Sequence, residues 1–377
     1  MVNLKSELAG KVKYIAFLVV FATLGLASKS IRAEEVNGTG EQATSHQEKF
    51  EAGKFVTEHV SDAFEWHILT YKHHHISVPL PIILYSKNSG LNIFWSSKFE
   101  HGHAAYRNFR IEEAGDNAGK IVELNSSGEV IGLPIDLSIT KTVAGIFISA
   151  FILLFILLRV ARMAKQSANK APTGLQNMFE PLVIFIRDEV AIPTIGEKRY
   201  QKYLPFLLTI FFFILLNNLL GLIPIFPFGA NVTGNIAVTM VLALFTFIIT
   251  TFSGNKHYWK EIYNPDVPWW LKFPVPLMPL VELTGVITKP IVLMVRLFAN
   301  MLAGHMIVTV FVALIFIFGQ TGGIAAGLAV SPLSVLFSVF ILLLDVLVSF
   351  IQAYVFTLLS ALYFGMAIAE HHPAEEH

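Results

Sequence analysis

Cysteine is absent from the 377 residues, which excludes disulfides, thiolate metal sites and cysteine nucleophiles. Charge is scarce: Asp, Glu, Lys and Arg make up 14% of the chain and cancel to a formal net charge of zero. With no basic excess there is no electrostatic case for a nucleic-acid partner. No glycine-rich phosphate loop occurs, so ATP chemistry is not expected within this chain, and no cofactor is implied. What remains is apolar. Hydrophobic residues reach 54%, a balance that soluble domains rarely show, and the long apolar runs predict an all-α polytopic membrane protein.

The chain opens with Lys5, Lys11 and Lys13, an apolar run from Tyr14 to Ala27, and then polar residues. That layout predicts a secretory signal peptide within residues 1–33, cleaved after Ala27 or Ala33. The alternative, a retained anchor helix, has about 14 apolar residues where a span needs about 20. Residues 34–135 are polar and carry His46, His59, His67, His73, His74, His75, His101 and His103. Short apolar runs, Ile76 to Tyr85 and Leu91 to Trp95, predict strands, and Gly128-Glu129 between Val122-Glu123-Leu124 and Val130-Ile131 predicts a hairpin. The region reads as a small extracytoplasmic domain with β content. Imidazole suits zinc, copper or nickel, yet no ligand spacing or carboxylate partner accompanies these histidines. They read as a solvated surface, and no metal site is assigned.

Residues 136–377 read as the membrane part. Thr142 to Leu158 is the first span, and Arg159, Arg162, Lys165 and Lys170 place its end in the cytoplasm by the positive-inside rule. An amphipathic piece, Phe179 to Ile186, suits the membrane surface. A second span, Tyr203 to Ile223, carries Asn217 and Asn218 and leads into Pro224 to Thr233, a loop without Lys or Arg that suits the outer side. The third, Asn235 to Phe252, returns to Lys256, Lys260 and Lys272, with Trp269 and Trp270 at the interface. The last two apolar segments, Val281 to Phe318 and Ser331 to Ala369, are joined by a charge-free loop, Gly319 to Val330. As helices, each would be roughly 57 Å long against a hydrocarbon core of about 30 Å. That demands a tilt of roughly 60°, unless Pro290 and Pro332 break off part of the length. About five spans result, the last two forming a strongly tilted hairpin that calls for a curved protein partner. The C-terminus falls inside and the N-terminal domain outside, in agreement with a signal peptide.

The fourth span holds Arg296, a permanent charge whose insertion near a bilayer centre costs about 2.5–3.5 kcal/mol on insertion scales. Apolar sequence continues for several turns on both sides, which argues against an arginine snorkelling from a helix end. The core Arg296-Leu297-Phe298-Ala299-Asn300-Met301, with Lys289-Pro290 before it and Ala303-Gly304 after it, resembles the signature helix of subunit a of the F-type ATP synthase family. The resemblance extends over about Pro134 to Glu370. It implies a non-catalytic stator subunit that conducts protons in the bacterial inner membrane. It further implies contact with the rotor ring of c subunits, with the peripheral-stalk b subunits and with membrane lipid. By the same resemblance Arg296 is the essential arginine, Asn300 its neighbour, Gln352 its cross-helix partner and Glu282 the acid of the inner half-channel. Many bacterial members carry glutamate where His305 stands and histidine where Asp345 stands; here acid and imidazole exchange helices, as in mitochondrial members.

Spacing adds its own constraints. Lys289, Arg296 and Asn300 share a helix face that Ala303 and Gly304 continue as small residues, so another helix can approach closely. If Arg296 and Gln352 lie level in antiparallel helices, His305 stands about 13.5 Å and Asp345 about 10.5 Å further out, at nearly one depth. Ser338, Asp345 and Gln352 share a face at heptad spacing, while Ser349, Lys289, Asn217 and Asn218 are secondary candidates. Glu282 lies fourteen residues inward from Arg296 on nearly the same face. Two rival readings stand beside this one. A proton-coupled secondary transporter would show internal repeats, and no matching halves are seen; a membrane-anchored metal-binding protein would rest on the N-terminal histidines alone.

Overall fold

The computed structural model describes residues 62–71, 74–102, 104–112, 117, 119–125, 127–166, 172–223, 226–264 and 277–369. The expected leader, His46, His59, His73 and His103, and Lys170, Trp269, Trp270 and Lys272 lie outside the described residues. The chain divides into two compact units, Met1–Lys49 with Leu69–Ile76, and Phe50–Ile68 with Ser77–His377. Only parts of β1 and β2 are described in the smaller unit.

Among the described residues, eight short strands precede the long helices. β1 (Glu65–Tyr71) pairs with β2 (His74–Pro79); β3 (Pro81–Ser86) is flanked by β4 (Gly90–Trp95) and β8 (Ile135–Asp136); β5 (Phe109–Ile111), β6 (Ile121–Leu124) and β7 (Val130–Gly132) form a third sheet. The run expected as one strand, Ile76 to Tyr85, is divided at Leu80. Leu80 lies between Pro79 and Pro81, neither of which can donate a ladder bond, and its N–H goes instead to the Ser96 hydroxyl at 3.1 Å. The hairpin expected at Gly128-Glu129 is present: β6 and β7 are antiparallel, and Gly128 turns at φ 82°, a conformation that favours glycine. Ile82, Leu84, Phe94, Phe99, Phe109 and Ile121 form the core of this small domain.

The domain runs into the first long helix, α1 (Lys141–Gln166), without a free linker. Asp62 Oδ1 accepts the Thr142 N–H at 3.0 Å, capping the helix start, and the Lys141 N–H donates to the Ala63 carbonyl at 2.8 Å. Trp66 is buried against Ala230 and Val232, with its ring edge-on to Phe226 at 5.5 Å. α1 extends to Gln166, past the Leu158 expected as its end, so Arg159, Arg162 and Lys165 lie on the helix itself.

A short helical run follows as α2 (Leu175–Phe185), a π-turn (Ile186–Ala191) and α3 (Ile192–Ile195). Then come α4 (Tyr200–Gly221), α5 (Ile236–Ser253), α6 (Lys256–Tyr263) and α7 (Leu277–Ile368). Among the described residues four helices, α1, α4, α5 and α7, are long and apolar enough to cross a membrane. α4 is the most enclosed of them, and Leu207, Ile210, Phe211 and Ile214 join Leu293, Leu297, Phe356 and Phe364 of α7 in the main core.

α7 is two helical arms that meet at a kink, as the expected hairpin requires, but the join departs from expectation. The charge-free stretch Gly319 to Val330 is not a loop: helical backbone continues through it, interrupted only at Gly323 (φ 77°, ψ 176°). Pro290 and Pro332 also lie inside the helix, and neither breaks it. A backbone in an apolar medium must satisfy its N–H and C=O groups internally, which favours helix through weak helix formers, and glycine alone reverses the chain at little steric cost. The two arms fold back on each other. A β-carbon on Gly327 would lie 3.1 Å from Gly319 Cα, and Phe311 stacks on Phe337 with centroids 5.4 Å apart.

Candidate functional site

On the first arm of α7, Leu293, Leu297 and Met301 are buried, while Arg296 and Asn300 belong to the exposed stripe with Ala299 and Ala303. The apolar side chains anchor the helix to the bundle and aim the charge away from it. Gln352, on the second arm, is buried. The pairings of Gly304 with Asp345, Phe311 with Phe337 and Gly319 with Gly327 advance in antiparallel step, and the same register extended along the arms sets Gln352 level with Arg296.

A polar group gathers along the half of the hairpin nearer Gly323, where the two arms meet. His305 Nε2 lies 3.3 Å from the Gly221 carbonyl and Nδ1 lies 3.1 Å from the Met301 carbonyl. The ring can donate to one of these when neutral and to both when protonated. Asn218 Oδ1 accepts from the Thr233 hydroxyl at 2.5 Å, and Asn217 Nδ2 donates to the Phe213 carbonyl at 2.8 Å. Asp345 rests against Gly304, and Ser349 donates to the Asp345 main-chain carbonyl at 2.6 Å. No hydrogen bond joins His305 to Asp345. Asn218 Nδ2, Asn231 Nδ2, Ser334 Oγ, Ser338 Oγ and Asp345 Oδ2 are buried without a partner among the described residues. Donors and acceptors left open in this way are what a water-bearing path requires. A small cavity lined in part by Gly145, Asn217, Gly229 and Val232 lies beside them.

On the other side of Arg296 the Lys289 ammonium stands over the Tyr363 ring, 5.6 Å from its centroid. Lys289 and Tyr363 line a second cavity with Thr246, Thr250 and Tyr258, where Thr246 and Ser360 hydroxyls are 3.3 Å apart. Burial raises the Tyr258 phenol above its ordinary pKa, so it is a neutral donor here. Glu282 is half-buried further along the same arm. The basic ends of the bundle converge there too: Arg199 Nη1 donates to the Ile368 carbonyl at 2.8 Å, and Asn255 Nδ2 to the Ala369 carbonyl at 2.7 Å.

Sequence reasoning missed Gly221, Thr233, Ser334 and Tyr363. The first acts through its carbonyl, which no side-chain pattern announces. The others are ordinary residues of apolar helices or loops, brought to the site by folding.

Residues 143–365 match the family model described as ATP synthase A chain, and residues 55–137 match a domain of unknown function, DUF8433. The chain is 45% identical over 251 residues to ATP synthase subunit a of Chloroherpeton thalassium, covering 64% of this chain and 70% of the relative. It is 47% identical over 247 residues to ATP synthase subunit a 2 of Chlorobaculum tepidum (64% and 66%) and 43% identical over 249 residues to ATP synthase subunit a of Myxococcus xanthus (64% and 77%). With more than half of its length matched by that family model, the chain belongs to the ATP synthase A chain family, the subunit a of ATP synthase.

Proposed function

We infer that protons traverse this non-catalytic subunit in two half-channels set on either side of Arg296. The observation that carries the reading is the position of Arg296: an exposed charge on an apolar helix, with one small cavity beside Asn217 and another beside Lys289 and Tyr363. Protons enter from outside past Asn217, Asn218, Asp345 and His305 and reach a carboxylate on a rotor ring of c subunits. After a turn of the ring they leave past Lys289 and Glu282. Arg296 favours the ionised form of the passing carboxylate and, as a fixed positive charge, bars direct leakage between the half-channels. Asn300 and the small residues Ala299 and Ala303 line the same stripe, which suits a closely packed rotor helix. Gln352 holds the level of the arginine from the second arm, with Ser349 one turn away.

In this reading α7 crosses the membrane twice and the chain five times, both arms of α7 lying strongly tilted along the ring. Arg159, Arg162 and Lys165 at the end of α1, Lys198 and Lys202 at the start of α4, and Lys256 and Lys260 after α5 mark the cytoplasmic side of a bacterial inner membrane. The strand domain is then extracytoplasmic, and b subunits of a peripheral stalk complete the stator.

The test is Arg296→Ala in the assembled complex, reconstituted in vesicles. Complex assembly should survive, because the side chain is exposed and unpaired by any hydrogen bond among the described residues. ATP synthesis driven by an imposed gradient should vanish. Normal coupled synthesis would overturn the reading.

A further inference from the structure

The outward face of the β4-β3-β8 sheet is apolar from edge to edge. Alternation sends Ile82, Leu84 and Phe94 into the domain core, and it sends Tyr85, Leu91, Ile93, Trp95, Ile135 and Leu137 outward, where each is between 48% and 63% exposed. The register sets them side by side: Tyr85 is opposite both Leu91 and Ile135, and Ile83 is opposite Ile93. The charged residue of the edge strand, Asp136, is paired with buried Leu84 and so takes the other face. Solvated antiparallel sheets alternate apolar with polar positions; a contiguous apolar face of this kind marks a docking surface.

Its position says what covers it. The Leu137 N–H donates to the Ile83 carbonyl at 2.9 Å and the Ile139 N–H to the Pro81 carbonyl at 3.0 Å, so the sheet continues to within two residues of Lys141, where α1 begins. The Pro81–Trp95 end of the sheet is therefore the end nearest the membrane span. On α1 itself Phe147 and Phe151 are 63% and 73% exposed, so the span that follows the sheet also presents apolar side chains outward. A tryptophan at the junction and a tyrosine farther along are residue types that settle at the headgroup level of a bilayer.

We propose that this sheet face lies on the phospholipid leaflet from which α1 starts, seating the strand domain on the membrane surface. The proposal stands on the fold and on membrane insertion alone, and it does not depend on the route of protons past Arg296. Because the chain has no cysteine, single cysteines can be introduced at Leu91, Ile93 and Ile135, with Asn88→Cys in the exposed β3–β4 turn as an aqueous control. Each full-length variant is labelled with a nitroxide and reconstituted in phospholipid vesicles. Collision with oxygen, which partitions into lipid, is compared with collision with a neutral nickel chelate, which stays in water. The expected result is an oxygen-to-nickel ratio several-fold higher at 91, 93 and 135 than at 88. Adding Ile93→Glu to the Ile135→Cys variant should lower its ratio toward that of the control, since a carboxylate resists burial in lipid. Free access of nickel at all three sites would overturn the proposal. Exclusion of both reagents would overturn it too, since the face would then be covered by protein, either a second copy or the N-terminal segment of this chain.

Discussion

A β-carbon on Gly304 would stand 2.7 Å from Oδ1 and 2.8 Å from Oδ2 of Asp345, so the carboxylate of one arm of α7 occupies the space any other residue at position 304 would fill. This contact fixes the level at which the arms meet. It also holds an acid where Oδ2 has no hydrogen-bond partner among the described residues. A buried carboxyl oxygen without a donor is costly, so a water has a defined place to go.

Gly304→Ala should therefore act through Asp345. Alanine is the better helix former, so the arm itself is not weakened. The carboxylate must move aside, and proton uptake by vesicles under an imposed potential should slow several-fold while complex assembly is kept. An unchanged rate in a fully assembled complex would mean that the position of Asp345 does not matter to conduction.

Gly365→Ala should fail for a different reason. A β-carbon there would overlap the Thr194 carbonyl, and backbone gives way less readily than a flexible side chain. Overpacking of this kind costs about 1–3 kcal/mol. The variant should show a lowered unfolding temperature and reduced amount in the membrane, measured on the purified subunit and by quantitative blotting. Stability equal to the parent would mean that α3 and the end of α7 are free to part.

Asp62→Ala removes the cap of α1 while leaving the bond from Lys141 to the Ala63 carbonyl. A lost cap costs about 0.5–2 kcal/mol, and Asp62→Asn should retain most of it because the amide oxygen accepts in the same place. Thermal unfolding of the three proteins should rank the parent and the asparagine variant above alanine. Equal values for all three would show that the cap contributes nothing.

Much of this molecule is legible before folding. Hydropathy finds α1, α4 and α5 to within a few residues, except that α1 runs on through Arg159 and Arg162, because long basic side chains extend a helix into the headgroups without penalty. The Gly319 to Val330 stretch misleads, since glycine and alanine without charge look like a loop, yet only Gly323 leaves the helical region. The arginine motif announces itself through the cost of a charge in apolar sequence. The environment of His305 does not, because its partners are main-chain carbonyls of Met301 and Gly221, the second of them 84 residues away. The hydroxyl of Thr233 reaches Asn218 from the 226–233 loop, which packs against Trp66.

His305 yields the sharpest prediction. Both ring nitrogens face carbonyl oxygens, so protonation changes how many of the two are satisfied. His305→Gln supplies an amide that can still donate to a carbonyl but cannot titrate, so the complex should assemble and conduct more slowly. Any variation of flux with pH that belongs to the imidazole should disappear. His305→Glu presents an acceptor to two acceptors and should lose more flux than glutamine at neutral pH. Adding Asp345→His to it should bring little back, because Asp345 lies against Gly304 and makes no hydrogen bond to His305. The measurement is proton uptake by reconstituted vesicles across a pH series, with assembly checked in each variant. Strong recovery in the double exchange, beyond what the two single changes predict by addition, would mean that the two groups exchange protons directly and that the Gly221 carbonyl is a bystander.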